Sequence, residues 1–307
     1  MIIKLFSLTC IVFFISWSGL SKPIEPQLFT DLTTLTSSKL AGRKTNSHSA
    51  LLTREYLKAR FKEHQLTVIE QPFTYPSGLF SKAQGVNIVA TKTAKNLPVI
   101  VITAHYDHLG LKAGKLHPGA NDNASGVAAL LYLSNALQMQ SSYGFMFVAT
   151  DAEENGLHGS EHFAKTMRQS PIALNINLDM LAIKKSHKRL YALTSRSLKG
   201  QLTPLFSQIK NTSVELKPVY SSRKMSRLTN TKQIDWHRAS DHYSFAKQKI
   251  PYVYFSMGAD NYHHTAKDTL ENINTALYQE AVLLIEAFIN QLLTNPEVFS
   301  SPLKAAT

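Results

Sequence analysis

Apolar residues recur along this chain with two periods, and the alternation between them predicts its architecture. Between Ser49 and Gln65, the residues Leu51, Leu52, Tyr56, Leu57 and Phe61 fall near helical spacing, which predicts an amphipathic helix. Strand-like stretches follow at Leu66–Tyr75 and Gly85–Ala90. Beyond them, short and mostly apolar strand-like segments alternate with helical segments. PVIVITA (98–104), GFMFVAT (144–150), Ile172–Leu178 and Tyr252–Ser256 predict four buried strands. Ala124–Leu137, His158–Met167 and Thr275–Leu293 predict helices, the last one amphipathic. Strands apolar on both faces belong to sheets covered on both sides. The expected fold is therefore α/β, a mostly parallel central sheet with helices on both faces. In such sheets ligands bind beyond the carboxyl ends of the strands.

Polar residues gather at those ends. The first buried strand runs into His105-Tyr106-Asp107-His108. Residues two apart on a strand share a face, so His105 and Asp107 project together. Asp107 either fixes the imidazole tautomer of a ligating His105 or shares in binding a cation; alone, the two are equally a satisfied polar pair. Asp122 lies in the loop PGANDNASG (118–126), just ahead of an apolar helix, where by itself it reads as an N-cap. The second strand ends in Asp151, Glu153 and Glu154. Three carboxylates there repel one another unless a cation sits among them; a solvated acidic loop is the alternative. Asp179 follows the third strand, and His263 and His264 follow the fourth. Nitrogen and oxygen ligands without sulfur suit catalytic zinc. A two-metal site needs one bridging carboxylate and two further ligands per ion. Asp122 as the bridge, His105 with Asp179, and Glu154 with His264 fill that count. Glu153 is left over beside the site, as a general base requires.

Taken in order, AHYDHLG (104–110), GANDNASGVA (119–128), TDAEENGLHGS (150–160), NLDM (177–180), SDHYSF (240–245) and HTAKDT (264–269) resemble the M28 family of zinc peptidases, which includes bacterial leucyl aminopeptidases and glutamate carboxypeptidases. LAGRKTNSHS (40–49) is a weaker upstream match. The resemblance spans roughly Leu40 to the C-terminal helix. It implies a zinc-dependent exopeptidase-like (phosphorylase/hydrolase-like) three-layer sandwich holding two zinc ions. His105, Asp122 and Asp179 would bind one, and Asp122, Glu154 and His264 the other. Glu153 would act as base on a water between the metals, and Asp107 would orient His105. The implied activity is that of an aminopeptidase acting on peptide or protein N-termini. Its rivals are a glutaminyl cyclase-like acyltransferase with one zinc and a binding module without catalysis. The chain departs from the pattern at Ala266, usually Pro, and at His263, commonly Tyr. This leaves His263 as a competitor of His264, whose spacing to Asp268 is the better match. Asp241 and His242 match a motif whose role is either substrate-side or structural.

Composition adds a location. Lys4 precedes an apolar run from Leu5 to Trp17, followed by small residues at Ser18, Gly19 and Ser21. This describes a signal peptide over 1–21 and export to a bacterial periplasm or the medium; the run is shorter than the ~20 residues of a spanning helix. Residues 22–307 are expected to form one peptidase domain, with 22–97 packing on a catalytic core at 98–295. Cys10 is the only cysteine, so thiolate catalysis is excluded beyond the leader. The formal charge of +12 predicts weak attraction to anionic envelope surfaces. No nucleic-acid motif accompanies it, so nucleic acid is not an expected partner. The basic segment from Lys184 to Arg238 is expected to cover part of the site. Side-chain preference and oligomeric state have no sequence signal here.

Overall fold

The strands with the fewest polar residues pair side by side at the centre of the chain. A computed structural model describes residues 25–92, 97–137, 142–183 and 188–299; the leader read at 1–21 lies outside them. Helices α1 (Pro26–Leu35) and α2 (His48–Glu63) precede strands β1 (Thr67–Pro76) and β2 (Lys82–Lys92). Next come β3 (Val99–His105), a small hairpin of β4 (Gly110–Lys112) and β5 (Lys115–His117), and α3 (Ser125–Ala136). β6 (Gly144–Thr150), α4 (His158–Thr166) and β7 (Ile172–Leu178) follow. The chain continues through β8 (Arg189–Thr194), α5 (Lys199–Gln208), β9 (Glu215–Val219) and α6 (Ser222–Thr229). It closes with α7 (His242–Lys247), β10 (Tyr252–Ser256) and α8 (Thr275–Thr294).

The main sheet has the order β1-β2-β6-β3-β7-β10-β8-β9. Its four central strands, β6, β3, β7 and β10, are mutually parallel. The edges turn antiparallel: β2 pairs with β6 and β1, and β8 with β10. A five-residue turn is enough to join β1 to β2, whereas parallel neighbours need a crossover. Strands β8 and β9 escaped the sequence reading because Arg189, Lys217 and Pro218 dilute their apolar pattern. A proline is tolerated there because β9 is an edge strand.

Side chains alternate between two cores with the strand period. Ile100, Ile102, Ala104, Phe145, Phe147 and Ala149 join the core under α1, α2, α3 and α8. Val99, Val101 and Val148 face α4 and α7, meeting Phe163 and Phe245. On that second face β7 carries Asn175 and Asn177, both buried. A hydrogen-bonded ladder connects them, although Asn175 Oδ1 is left without a donor. Asn175 Nδ2 donates to Thr103 Oγ1 at 3.1 Å, Thr103 Oγ1 to Asn177 Oδ1 at 2.9 Å, and Asn177 Nδ2 to Ser240 Oγ at 2.8 Å. The ladder leads from the sheet centre to the loop that carries Asp241.

Helix α8 is long and apolar enough to cross a membrane, yet its apolar face lies in the core. Phe288 stacks on Phe206 with ring centroids 4.8 Å apart and meets Phe255 edge-on at 5.4 Å. Phe288→Ala is expected to destabilise the fold by about 3–5 kcal/mol, the usual cost of deleting a buried phenyl ring. Urea unfolding monitored by tryptophan fluorescence measures it.

Candidate metal centre and active site

Because β6, β3, β7 and β10 are parallel neighbours, their carboxyl ends lie side by side. His105 is the last residue of β3, Glu153 and Glu154 sit in the turn after β6, and Asp179 follows β7. Asp122 comes from the loop entering α3, and His263 and His264 from the loop after β10. His105, Asp122, Glu153, Asp179, His263 and His264 line one pocket of about 200 Å³. Glu154, the remaining ligand expected from the sequence, does not line this pocket, but its Oε2 lies 3.1 Å from His264 Nε2.

Asp122 is the hub. It is shared by three groups whose ligand atoms all fall within 4.8 Å of one another: with His105 and Asp179, with His108 and Glu154, and with His263 and His264. Two atoms held about 2.0–2.1 Å from one zinc ion at a tetrahedral angle lie about 3.3 Å apart. His105 Nε2 is 3.4 Å from Asp122 Oδ1 and 3.6 Å from Asp179 Oδ1. His264 Nε2 is 3.1 Å from both Asp122 Oδ2 and Glu154 Oε2. His263 Nε2 comes within 3.4 Å of Asp122. His108, a residue to which the sequence assigned no role, has Nδ1 at 2.8 Å from Glu154 Oε1, a hydrogen-bond distance, and at 3.7 Å from Asp122. Asp122 Oδ2 and Asp179 Oδ1 are buried with no hydrogen-bond donor. Buried oxygens of this kind, at these separations, fit cations.

The surrounding hydrogen bonds set the loops rather than the ligand atoms. Asp107 reaches His105 through its backbone carbonyl, 3.1 Å from Nδ1; its carboxylate is 3.8 Å away. That carboxylate accepts instead from the backbone N–H groups of Glu153 and Glu154 at 3.1 and 3.2 Å. Asp268 does the same for the other loop, accepting from the N–H groups of Asn121 and Asp122 at 2.8 and 3.0 Å. The capping role that Asp122 suggested falls to its neighbour: Asn123 Oδ1 accepts from the Gly126 N–H at 2.9 Å. Gly119 has φ +59°, and a Cβ there would collide with the Asp122 carbonyl and the His108 ring. Of the basic stretch 184–238, residues 184–187 lie outside the described residues, and β8, α5 and β9 build the sheet edge. Ile234 and, just beyond the stretch, Ala239 reach the pocket.

Arg43, in the weak upstream motif, is fully buried. Its guanidinium donates to four backbone carbonyls: Tyr106 at 2.8 Å, Leu35 at 2.7 Å, Pro118 at 2.7 Å and Gly119 at 2.9 Å. It thus ties the His105–His108 segment to the loop that presents Asp122. Burial brings Arg43 down to about 10, against the opposing pull of Asp268, Asp122, Asp107 and Glu154. Asp107 and Glu153 also shift toward their neutral forms. Burial, with Asp151 and Glu154 nearby, lifts Asp107 to about 8. Burial also raises Glu153 well above the carboxylate range; His105 opposes this, and Glu154, Asp179 and Asp241 add to it. His264 rises to about 10 through its contacts with Asp122 and Glu154. These directions describe a site with more buried negative charge than its own residues neutralise. A bound cation would reverse them.

Asp241 and His242 divide their roles. Asp241 accepts from Thr150 Oγ1 at 2.5 Å at the end of β6. His242 is fully buried and stacks on Tyr254 with centroids 4.5 Å apart, so it packs as an aromatic ring. Burial lowers it from 6.5 to about 3. The folded state thus binds fewer protons at this ring than the unfolded state does. Its stability is intact above pH 6.5 and is lost as the pH falls toward 3. Between pH 6.5 and 4.5 the loss is about 2–3 kcal/mol. Urea unfolding of metal-free protein at pH 7 and pH 4.5 should show a smaller acid penalty for His242→Phe by that amount. Arg43→Met is expected to cost about 3–5 kcal/mol by removing a buried hydrogen-bonded charge. Arg43→Lys should recover little of this, because one ammonium cannot serve four carbonyls; the same unfolding assay compares the two.

Comparison with known proteins agrees with this geometry. The model of peptidase family M28 matches residues 87–289. Aminopeptidase YwaD of Bacillus subtilis is 26% identical over 242 residues, 74% of this chain and 49% of the relative. The chain spans about half the length of the curated relatives it matches. Among solved structures, BSAP, a zinc aminopeptidase from Bacillus subtilis, superposes with a TM-score of 0.71 at 17% identity, covering 89% of this chain and 96% of that one. Fimbriiglobus ruber glutaminyl cyclase superposes with a TM-score of 0.65 at 17% identity, covering 89% and 97%. These likenesses show a shared fold, and the family match, which takes in well over half of the residues, shows that the chain belongs to peptidase family M28.

Proposed function

We propose that this chain is an exported two-zinc aminopeptidase that hydrolyses the N-terminal peptide bond of peptides or proteins. One observation carries the reading: Asp122 lies at ligand spacing from His105 on one side and from His264 on the other. His105, Asp122 and Asp179 would hold one zinc, and Asp122, Glu154 and His264 the second. When bound, zinc lowers the pKa of a coordinated water and polarises a carbonyl oxygen.

The remaining work belongs to the chain. Glu153 faces the pocket formed by His105, Asp122 and Asp179, and its backbone is fixed by Asp107. It is placed to take a proton from the attacking water and return it to the departing amine. Met180, Ile234 and Ala239 give the pocket an apolar wall, which excludes water and receives the substrate's first side chain. Ile234 and His263 also border a polar cleft of about 490 Å³ reaching Gln233 and Asp260, with room for the chain that follows. The leader over residues 1–21 supports export.

A cyclase needs one zinc and does not use a second full ligand set. The pairing of His105 with Asp179 beside Asp122 therefore favours the peptidase. Metal analysis of the purified protein should give two zinc per chain, with leucine p-nitroanilide hydrolysis lost on chelation and regained with zinc. One zinc and no anilide hydrolysis would favour the cyclase. Glu153→Gln should keep both zinc ions and lose about 10²–10⁴ or more in kcat; near-normal turnover in that variant rejects Glu153 as the base.

A further inference from the structure

The most exposed large apolar side chains among the described residues sit on two hairpins, one at its tip and one on a strand two residues from its turn, beside the rim that carries the metal centre. Leu79 and Phe80, in the turn between β1 and β2, are 89% and 95% exposed, and Leu111, in the β4–β5 hairpin, is 66% exposed. The first tip is held out rigidly. β1 and β2 pair up to Pro76 and Lys82, the Ser77 N–H donates to the Ser81 carbonyl at 3.0 Å, and Tyr75 below the turn stacks on His158 at 4.6 Å. The second hairpin follows β3 directly and turns at Ala113–Gly114.

One short segment links their bases. Lys44 packs against Gly110, where an added Cβ would lie 2.7 Å from it. Its neighbour Thr45 donates to Asp151, whose other carboxylate oxygen accepts from Val86 on β2. Lys44, Lys82, Lys112 and Lys115 are all exposed. Neither residues 76–85 nor residues 110–119 contain an acid. Apolar tips beside lysines, with no acidic counterpart, on a chain of charge +12, match the two attractions of a peripheral membrane anchor. Leu79, Phe80 and Leu111 stand largely free of the rest of the chain. A fluid lipid interface accepts such side chains without a complementary groove.

We propose that these hairpin tips insert into the headgroup region of an anionic bilayer and hold the cleft at its surface. The test is co-sedimentation with vesicles of 30% phosphatidylglycerol in phosphatidylcholine against vesicles of phosphatidylcholine alone, using protein purified after export. Wild type is expected to bind the anionic vesicles, less so in high salt. L79S/F80S is expected to bind them at least about tenfold more weakly, and K82E/K112E to bind weakly as well. Both variants should keep wild-type zinc content and leucine anilide hydrolysis, since none of these residues lines the pocket. Absence of wild-type binding overturns the proposal. So does vesicle binding that survives L79S/F80S. A shift in oligomeric state between wild type and L79S/F80S, without vesicle binding, overturns it in favour of a contact between copies of the chain. The proposal does not rest on the peptidase reading, and the vesicle assay reads it independently of turnover.

Discussion

Everything at the carboxyl rim of the sheet answers to one electrostatic problem: carboxylates crowd around Asp122 in a place water barely reaches. Burial works against the charge on Asp122, yet His105 and His264 hold it well below the ordinary range. Asp107, Asp268 and Glu153 are instead driven up. A cluster of this kind is unfavourable unless positive charge compensates it. Among the described residues, part of that charge is built in as Arg43, and the rest is left for cations. The crowding therefore fits the groups of buried ligand atoms around Asp122 that could hold a metal ion.

The same constraint explains how the loops are built. Asp122 Oδ2 and Asp179 Oδ1, which face the centre, have no hydrogen-bond donor, while the carboxylates behind them are hydrogen-bonded. Asp107 and Asp268 each accept from two consecutive backbone N–H groups, and each pair of N–H groups belongs to a loop that presents a ligand. The two acids set the positions of Glu154 and Asp122 through the backbone, leaving Asp122 Oδ2 without a donor. Arg43 performs the complementary task on the carbonyl side.

Much of this was legible in the chain. Apolar runs identified β3, β6 and β10, and β7 despite its Asn175 and Asn177, because strands buried on both faces are rich in apolar residues. His105, Glu153, Glu154 and Asp179 followed from the ends of such runs, while Asp122, His263 and His264 came from loops between elements. The strands β8 and β9 were not legible: β8 opens on the exposed Arg189, and β9, at the sheet edge, admits Lys217 and Pro218. Arg43 and Asp268 were quoted within motifs, but their work is done on backbone atoms of distant residues, and side-chain identity does not reveal it. His108 was hidden for a related reason: its contact with Glu154 joins residues 46 positions apart. The interior polar ladder through Asn175 and Asn177 was likewise invisible, because an asparagine in a strand shows nothing of its partners until neighbouring strands are in register.

Arg43 also bears on the order in which the molecule comes together. The matched family region begins at residue 87, so this arginine lies outside it, yet its guanidinium bonds to carbonyls up to 76 residues away. Asp268, near the other end, fixes backbone 147 residues away. Contacts between such remote stretches bear a large loop-closure cost and follow local ones. The centre is thus closed by a clasp whose two halves are synthesised at opposite ends of the chain. A nascent polypeptide therefore carries an incomplete centre until residues 263–268 have been made.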